Sequence, residues 1–126
     1  MGESRYERGL AIRKEVLGEA HVERSLQNAT DFDRAMQELT TEYCWGTIWA
    51  RPGLTRRERS MINLAMLSAL NRPEELAIHV RGAIQNGVTP EEIKEIFLQV
   101  AIYCGVPTGI ESFRVGRKML SEMGLI

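Results

Sequence analysis

Cysteine, histidine and excess charge are all scarce in this sequence. Its 126 residues include 2 cysteines and 2 histidines, and 16 basic against 17 acidic residues leave a formal net charge of −1. Cys44 and Cys104 lie too far apart for a CxxC motif, so we predict no metal site and no structural disulfide. Without a long run of like charge, nucleic acid and anionic membrane surfaces are not expected partners.

Long apolar runs and the common catalytic motifs are missing as well. No run approaches the roughly 18 to 20 apolar residues that span a bilayer, and the N-terminal MGESRYERGL lacks the apolar centre of a signal peptide. A soluble protein of the reducing cytoplasm fits these features. The chain has no glycine-rich phosphate loop, HExxH or GxSxG, so a bound nucleotide is not indicated.

What the sequence has instead is helical periodicity throughout, with no credible strand and no linker that would divide it. The pattern predicts one all-α domain over residues 1–126 that forms a bundle of about six helices. Residues 19–28 have weak periodicity and are interpreted as a loop or a short turn. The predicted helices span residues 4–17, 30–50, 55–70, 73–87, 89–104 and 108–123.

The clearest stretch is the helix pair between residues 73 and 104. Pro73 suits the first position of a helix and Gly87 its end, while Thr89 and Glu92 form a capping box for the next helix. Thr55 and Glu58 repeat that box. The apolar stripes predicted to face the core are Leu76, Val80, Ala83 and Ile84 in the first helix and Ile93, Ile96, Phe97, Val100, Ala101 and Cys104 in the second.

Two further stretches are apolar on nearly every side. Residues 61–70 read MINLAMLSAL, in which Asn63 and Ser68 are the polar residues. We expect this helix to run through the centre of the domain, where both polar side chains need partners. Residues 97–102 contain Gln99 as their one polar residue, so this helix should be covered on more than one side. In the last helix, Ile110 is among the residues predicted to face inward.

His79 is the residue best placed for chemistry. It lies about 40° outside the stripe of its helix, and Glu75 stands one turn earlier on the same flank. A carboxylate at that spacing can fix the imidazole tautomer and favour the charged ring. The catalytic interpretation competes with a surface or interface ion pair.

Three other features are candidates for binding. His21 lies in the predicted loop, where a histidine is usually just exposed. Trp45 and Trp49 serve either as core residues or as the flat wall of a small-molecule pocket, and Arg51 follows them at the end of the helix.

Three stretches of the chain resemble the 4-carboxymuconolactone decarboxylase family, within the wider alkyl hydroperoxidase D-like superfamily. They are GLAIRKEVLGEAHVERSL, YCWGTIWARPGLTRRERSMINLAMLSALNRPEELAIHVRGAIQNGVTPEEIKE and AIYCGVPTGIESF, together about four-fifths of the sequence. The resemblance implies an all-helical, cofactor-free carboxy-lyase of protocatechuate breakdown by the β-ketoadipate pathway. It would convert 4-carboxymuconolactone to 3-oxoadipate enol-lactone and CO2.

The chemistry of that reaction explains why no cofactor is needed. The departing carboxylate is conjugated through C=C to the lactone carbonyl, so the electrons left behind spread onto the carbonyl oxygen as a furanolate. The protein has to hold two carboxylates, stabilise the oxyanion and protonate a ring carbon. The resemblance implies His79 as the proton donor, with His21 and Arg51 as candidates for the carboxylates.

The resemblance also implies a homo-oligomer, a trimer or hexamer. Ile78, on the polar face of its helix, offers weak independent support, because an exposed isoleucine is better buried by a neighbouring subunit.

The sequence departs from the redox members of the superfamily. Arg72 and Glu75 occupy their CxxC positions, and their relay glutamate falls near Ser60, so peroxidase-type disulfide chemistry is excluded. The carboxylate relay stays open between Glu75, Glu58 and none. Two rival functions also stay open: a non-catalytic small-molecule-binding or oligomerisation module, and an enzyme acting on another lactone or keto acid.

Overall fold

Every regular element of the structure is a helix, which confirms the all-α prediction. The computed structural model describes residues 2–126 and has no strand among them. Contacts divide the chain into two compact units, the first ending at Leu54 and the second spanning Thr55–Ile126. The assignment of all 126 residues to one domain stays a prediction.

The first unit contains three α-helices and a π-helix. They are α1 (Arg5–Leu17), α2 (Glu19–Gln27), α3 (Arg34–Leu39) and the π-helix (Thr40–Trp49). Helix α1 packs along the π-helix, and two glycines make this possible. A Cβ atom on Gly9 would lie 1.9 Å from the backbone oxygen of Thr41, and one on Gly46 would lie 2.3 Å from the backbone oxygen of Arg5. The two backbones therefore approach more closely than any side chain allows.

Two predictions for this unit were wrong. Residues 19–28 are not a loop, because Gly18, at φ 94°, ends α1 and lets α2 begin at the next residue. Helix α2 is short, and the burial of its Val22, which is fully buried, stabilises it against the first unit. The following helix begins at Arg34 instead of Thr30 or Asp31, since Thr30 and Asp33 bond to each other in a turn.

The second unit is built from four helices around one apolar core. They are α4 (Arg56–Ala69), α5 (Pro73–Gln85), α6 (Pro90–Cys104) and α7 (Val106–Glu122). Phe97 and Phe113 meet edge to face with 5.7 Å between ring centroids. The buried core residues are Leu64, Leu76, Val80, Ala83, Val88, Ile93, Phe97 and Leu120. They confirm most of the stripe predicted for α5, whereas in α6 Ile93, Phe97 and Val100 are buried and Cys104, also predicted to face the core, is exposed.

The predicted ends of α4, α5 and α6 are confirmed, whereas α7 begins at Val106 instead of Thr108. Both capping boxes are complete, because the Thr55 and Thr89 hydroxyls accept backbone N–H groups while Glu58 and Glu92 bond back to the cap residues. Gly87 takes φ 92° just after the end of α5. Arg57 also pairs with Glu92, which joins the first turns of α4 and α6.

Three predictions about burial were wrong. Helix α4 does not run through a covered centre, since Ile62 and Met66 on one of its faces are exposed. Helix α6 is covered on one side only, and Ile102 is 79% exposed. Ile110 of α7 is exposed as well. In each case the side chain lies on a face that no other helix of the unit covers. None of the helices within residues 2–126 combines the length and apolar character that crossing a membrane requires.

Candidate active site

His79 faces a polar partner from the neighbouring helix. It lies on α5, partly buried, and its Nδ1 atom is 3.4 Å from the Nδ2 atom of Asn63 on α4. Helices α4 and α5 pack against each other, which brings Asn63 beside the ring. The expectation that the two polar residues of the apolar run have partners is confirmed, because the Ser68 hydroxyl donates to the Leu64 carbonyl oxygen at 2.7 Å.

The two carboxylates considered for a relay have different surroundings. Glu75 is exposed on the first turn of α5, and Nδ1 of His79 is in contact with Asn63 of α4. Glu58 accepts hydrogen bonds from the backbone N–H and the hydroxyl of Thr55, and the backbone bond is the main reason why its pKa is lowered. The capping box therefore accounts for Glu58, and the relay stays open.

The structure brings the two tryptophans of the first unit together. Trp45 and Trp49 stack with 4.7 Å between ring centroids, and both are buried. Such burial favours the interpretation that both tryptophans are core residues. Arg51 lies exposed two residues after the π-helix, and His21 lies partly buried on α2, where its backbone oxygen accepts from the Ser25 hydroxyl.

Arg13 is a buried cation that the sequence analysis did not single out. Its side chain is on the buried face of α1, and Nη1 donates to Gln37 Oε1 at 3.0 Å and to Thr41 Oγ1 at 3.2 Å. Burial lowers the pKa of the guanidinium, and both recorded partners are uncharged. Its helical register could have indicated this burial, because Arg13 shares one face of α1 with Gly9, Ile12 and Val16.

In the second unit, the cavity and the histidine considered for catalysis lie in different places. A groove of about 870 Å³ lies beside α6 and α7, with Phe97, Phe113 and Arg117 among its lining residues. His79 does not line it. Because the lining contains no histidine, we place the candidate chemistry at His79, where a titratable ring is held by a neighbouring helix. Asn63 is the residue that the sequence flagged only as a polar interruption.

The described residues form an all-helical protein in which His79 is the candidate for proton transfer. Among residues 2–126, no group of three or more histidine, cysteine or acidic side chains is arranged to hold a metal ion. An imidazole with an amide partner can take up and release a proton, because the amide offers both a donor and an acceptor.

Comparison with known proteins identifies the family. The profile of the carboxymuconolactone decarboxylase family matches residues 34–118. The chain is 48% identical over 118 residues to nitrosuccinic acid decarboxylase of Metarhizium robertsii, covering 94% of this chain and 82% of that protein. It is 42% identical over 123 residues to 4-carboxymuconolactone decarboxylase of Acinetobacter baylyi, covering 98% and 92%. The chain belongs to the carboxymuconolactone decarboxylase family, which confirms the resemblance.

Proposed function

We propose that this protein is a carboxy-lyase that converts 4-carboxymuconolactone to 3-oxoadipate enol-lactone and CO2 in protocatechuate catabolism. The observation that carries the proposal is the similarity to the Acinetobacter baylyi decarboxylase, which spans 92% of that protein's length. His79, held beside Asn63, supplies the proton donor that this reaction needs at carbon.

Nitrosuccinic acid is the second candidate substrate. The Metarhizium robertsii protein shares more identical residues with this chain, although the match covers less of its length. The two reactions share one requirement. In each, the carbon that loses its carboxylate is bonded to, or conjugated with, a group that accepts the electrons left behind. In the lactone this group is the conjugated carbonyl, and in nitrosuccinate it is the nitro group, which takes the electrons as a nitronate. Each substrate is a dicarboxylate that loses CO2 and gains a proton at carbon.

A direct comparison of the two substrates tests the proposal. The purified protein is given 4-carboxymuconolactone or nitrosuccinic acid, CO2 release is measured for both, and loss of ultraviolet absorbance is followed for the lactone. We expect the larger kcat/KM for the lactone. A larger value for nitrosuccinate would replace the first candidate by the second. Tight binding of either compound without turnover would instead favour a binding module, and turnover of a different lactone would favour the third alternative.

We also propose that the protein is a homo-oligomer, a trimer or hexamer. Support comes from apolar side chains exposed where α6 meets α7, with Ile102 79%, Tyr103 82% and Val106 60% exposed. Ile78 is partly buried within its own chain and therefore supports the proposal less than expected. Light scattering should give a mass several times that of the 14.3 kDa chain, and Tyr103→Glu should shift it towards the monomer. A wild-type mass near 14.3 kDa at micromolar concentration would contradict the proposal.

A further inference from the structure

Asn63 is an unusual residue for its place in the sequence. It interrupts an apolar stretch of α4, and its partly buried side chain reaches across to His79 on α5, with 3.4 Å between Nδ2 and Nδ1. An interior amide in an apolar helix loses hydration, so a partner that compensates this cost is expected. The partner here is a ring nitrogen of the one histidine in the second unit.

A carboxamide can serve an imidazole in both protonation states. Its N–H donates to an unprotonated Nδ1, and this places the proton of the neutral ring on Nε2. When the ring takes a second proton, a half-turn of the amide brings Oδ1 to Nδ1, where it accepts from the new N–H. A carboxylate, which can only accept, would favour a proton on Nδ1 in the neutral ring and would also favour the charged ring.

From this geometry we infer that Asn63 is the positioning residue for His79, and that it engages Nδ1 so that proton transfer runs through Nε2. The inference rests on the proposed function for the reaction itself, but the contact between the two side chains does not. Asn63 acts through His79 and has no assigned contact with substrate.

The proton balance of the step is simple. Loss of CO2 leaves the electron pair of the broken C–C bond on the conjugated system. That pair forms a C–H bond with the proton on Nε2 of the imidazolium, while the electrons of the N–H bond stay on Nε2 as a lone pair. The ring leaves the step neutral, with its remaining proton on Nδ1 accepted by Oδ1 of Asn63. Water then returns a proton to Nε2, so that each turnover consumes one proton from solvent.

The competing interpretation is that Asn63 merely joins two helices. The structure contains a matched example of that role, because the Asn86 Nδ2 atom donates to the Ser60 hydroxyl at 2.9 Å and likewise links the end of α5 to α4. Asn86 therefore provides the control, since its removal deletes a side-chain hydrogen bond between the same two elements without altering His79.

The decisive measurement is the tautomer of His79 in the neutral ring, read from the ¹⁵N shifts of protein labelled at histidine. The chain has 2 histidines, so His21→Gln assigns the signals. In the wild type we expect a protonated Nε2 and an unprotonated Nδ1. In Asn63→Asp the two nitrogens should exchange roles, and in Asn63→Leu both tautomers should be populated. Asn86→Ala should leave the wild-type pattern unchanged.

Kinetics provide the second readout, with the better substrate of the two candidates. Asn63→Leu should lower kcat by about 10- to 100-fold with KM changed less than about twofold, because the donor is misoriented rather than removed. Asn86→Ala should leave kcat within about twofold of the wild type. Retained circular dichroism in Asn63→Asp, whose side chain has nearly the same shape, shows that the fold survives.

Two results would overturn the inference. One is a wild-type protein without substrate whose neutral His79 ring carries its proton on Nδ1, and the other is a tautomer and kcat that Asn63→Leu leaves unchanged. If neither substrate is turned over while the ¹⁵N shifts respond to Asn63 as expected, the proposed function fails and the role of Asn63 stands. If turnover is found but the ¹⁵N shifts of His79 do not change when Asn63 is replaced, the proposed function stands and the inference fails.

Discussion

Replacing Gly9 by alanine should loosen the contact between α1 and the π-helix. The new Cβ atom would lie 1.9 Å from the backbone oxygen of Thr41 and 2.7 Å from the backbone nitrogen of Gly46, whereas ordinary contact begins at 3.4 Å. These obstacles are backbone atoms and cannot rotate away. Helix α1 or the π-helix must therefore move by about 1.5 Å, the shortfall from ordinary contact.

Two opposing terms set the size of the effect. Alanine is the better helix former, which stabilises α1 by about 0.5–1 kcal/mol. Overpacking costs about 1–3 kcal/mol and falls at the upper end where backbone has to move. We expect a net loss of about 2 kcal/mol in the free energy of unfolding, a large part of the roughly 5–15 kcal/mol that stabilises a typical domain. The unfolding midpoint should fall by on the order of 10 °C.

The assay can separate the two units of the chain. Both of its 2 tryptophans, Trp45 and Trp49, lie in the π-helix, so tryptophan fluorescence reports the first unit, whereas far-ultraviolet circular dichroism reports all helices. Gly53→Ala is the control, because a Cβ at Gly53 meets nothing within 4 Å. An unchanged or raised fluorescence midpoint in Gly9→Ala would refute the reasoning about the contact.

Three further predictions concern binding, pH and the buried cation. His21→Ala or Arg51→Ala should mainly raise KM if either residue holds a substrate carboxylate, and an unchanged KM in both would remove them as binding candidates. The lowered pKa of Glu58 means that its stabilising effect is present at neutral pH and lost as pH falls through that pKa. The difference in unfolding midpoint between wild type and Glu58→Gln should therefore vanish in acid, and a constant difference would contradict this. Thr41→Val removes a hydrogen-bond acceptor of Arg13 Nη1, so the free energy of unfolding of the first unit, measured by tryptophan fluorescence, should fall by about 1–3 kcal/mol. A fall of less than about 0.5 kcal/mol would count against the bond.

The sequence predicted the second unit well because local chemistry determines its helix ends. Pro73, Gly87 and the two capping boxes act through neighbouring backbone atoms, and the structure confirms each of them. The apolar stripe of α5 is likewise a local pattern, and Leu76 and Val80 are buried as predicted. His79 was singled out as a candidate for the same reason, since its helical register places it at the edge of that stripe.

What the sequence did not predict depends on contacts between distant residues. A π-helix has no periodic signature of its own here, although the Thr47 side-chain hydroxyl donates to the Glu42 carbonyl oxygen five residues earlier. Its place beside α1 depends on Gly9 meeting Gly46, a pair far apart in the chain. The contact between Asn63 and His79 is also long-range, so the amide was visible as a polar interruption while its partner was not.

If His79 is the proton donor, the activity lost when it is replaced should depend on the substrate. In the lactone, the carbon that accepts the proton is α to the carbonyl and is not the carbon that loses CO2. In nitrosuccinate, the carbon that loses CO2 is itself protonated. If both substrates are held by their carboxylates, one fixed histidine cannot stand equally close to both proton-accepting carbons.

A histidine held by Asn63 should therefore serve one substrate much better than the other. His79→Gln should lower kcat by roughly 10²-fold or more for the preferred substrate, because its general acid is lost, and by clearly less for the poorer one. Unchanged circular dichroism confirms that the fold is intact, as expected for a residue outside the central stripe. Nearly full activity of His79→Gln on the preferred substrate would assign the acid elsewhere, with His21 as the next choice. Large and equal losses on both substrates would contradict a single fixed donor, because His79 would then act at a step that precedes the protonation of carbon.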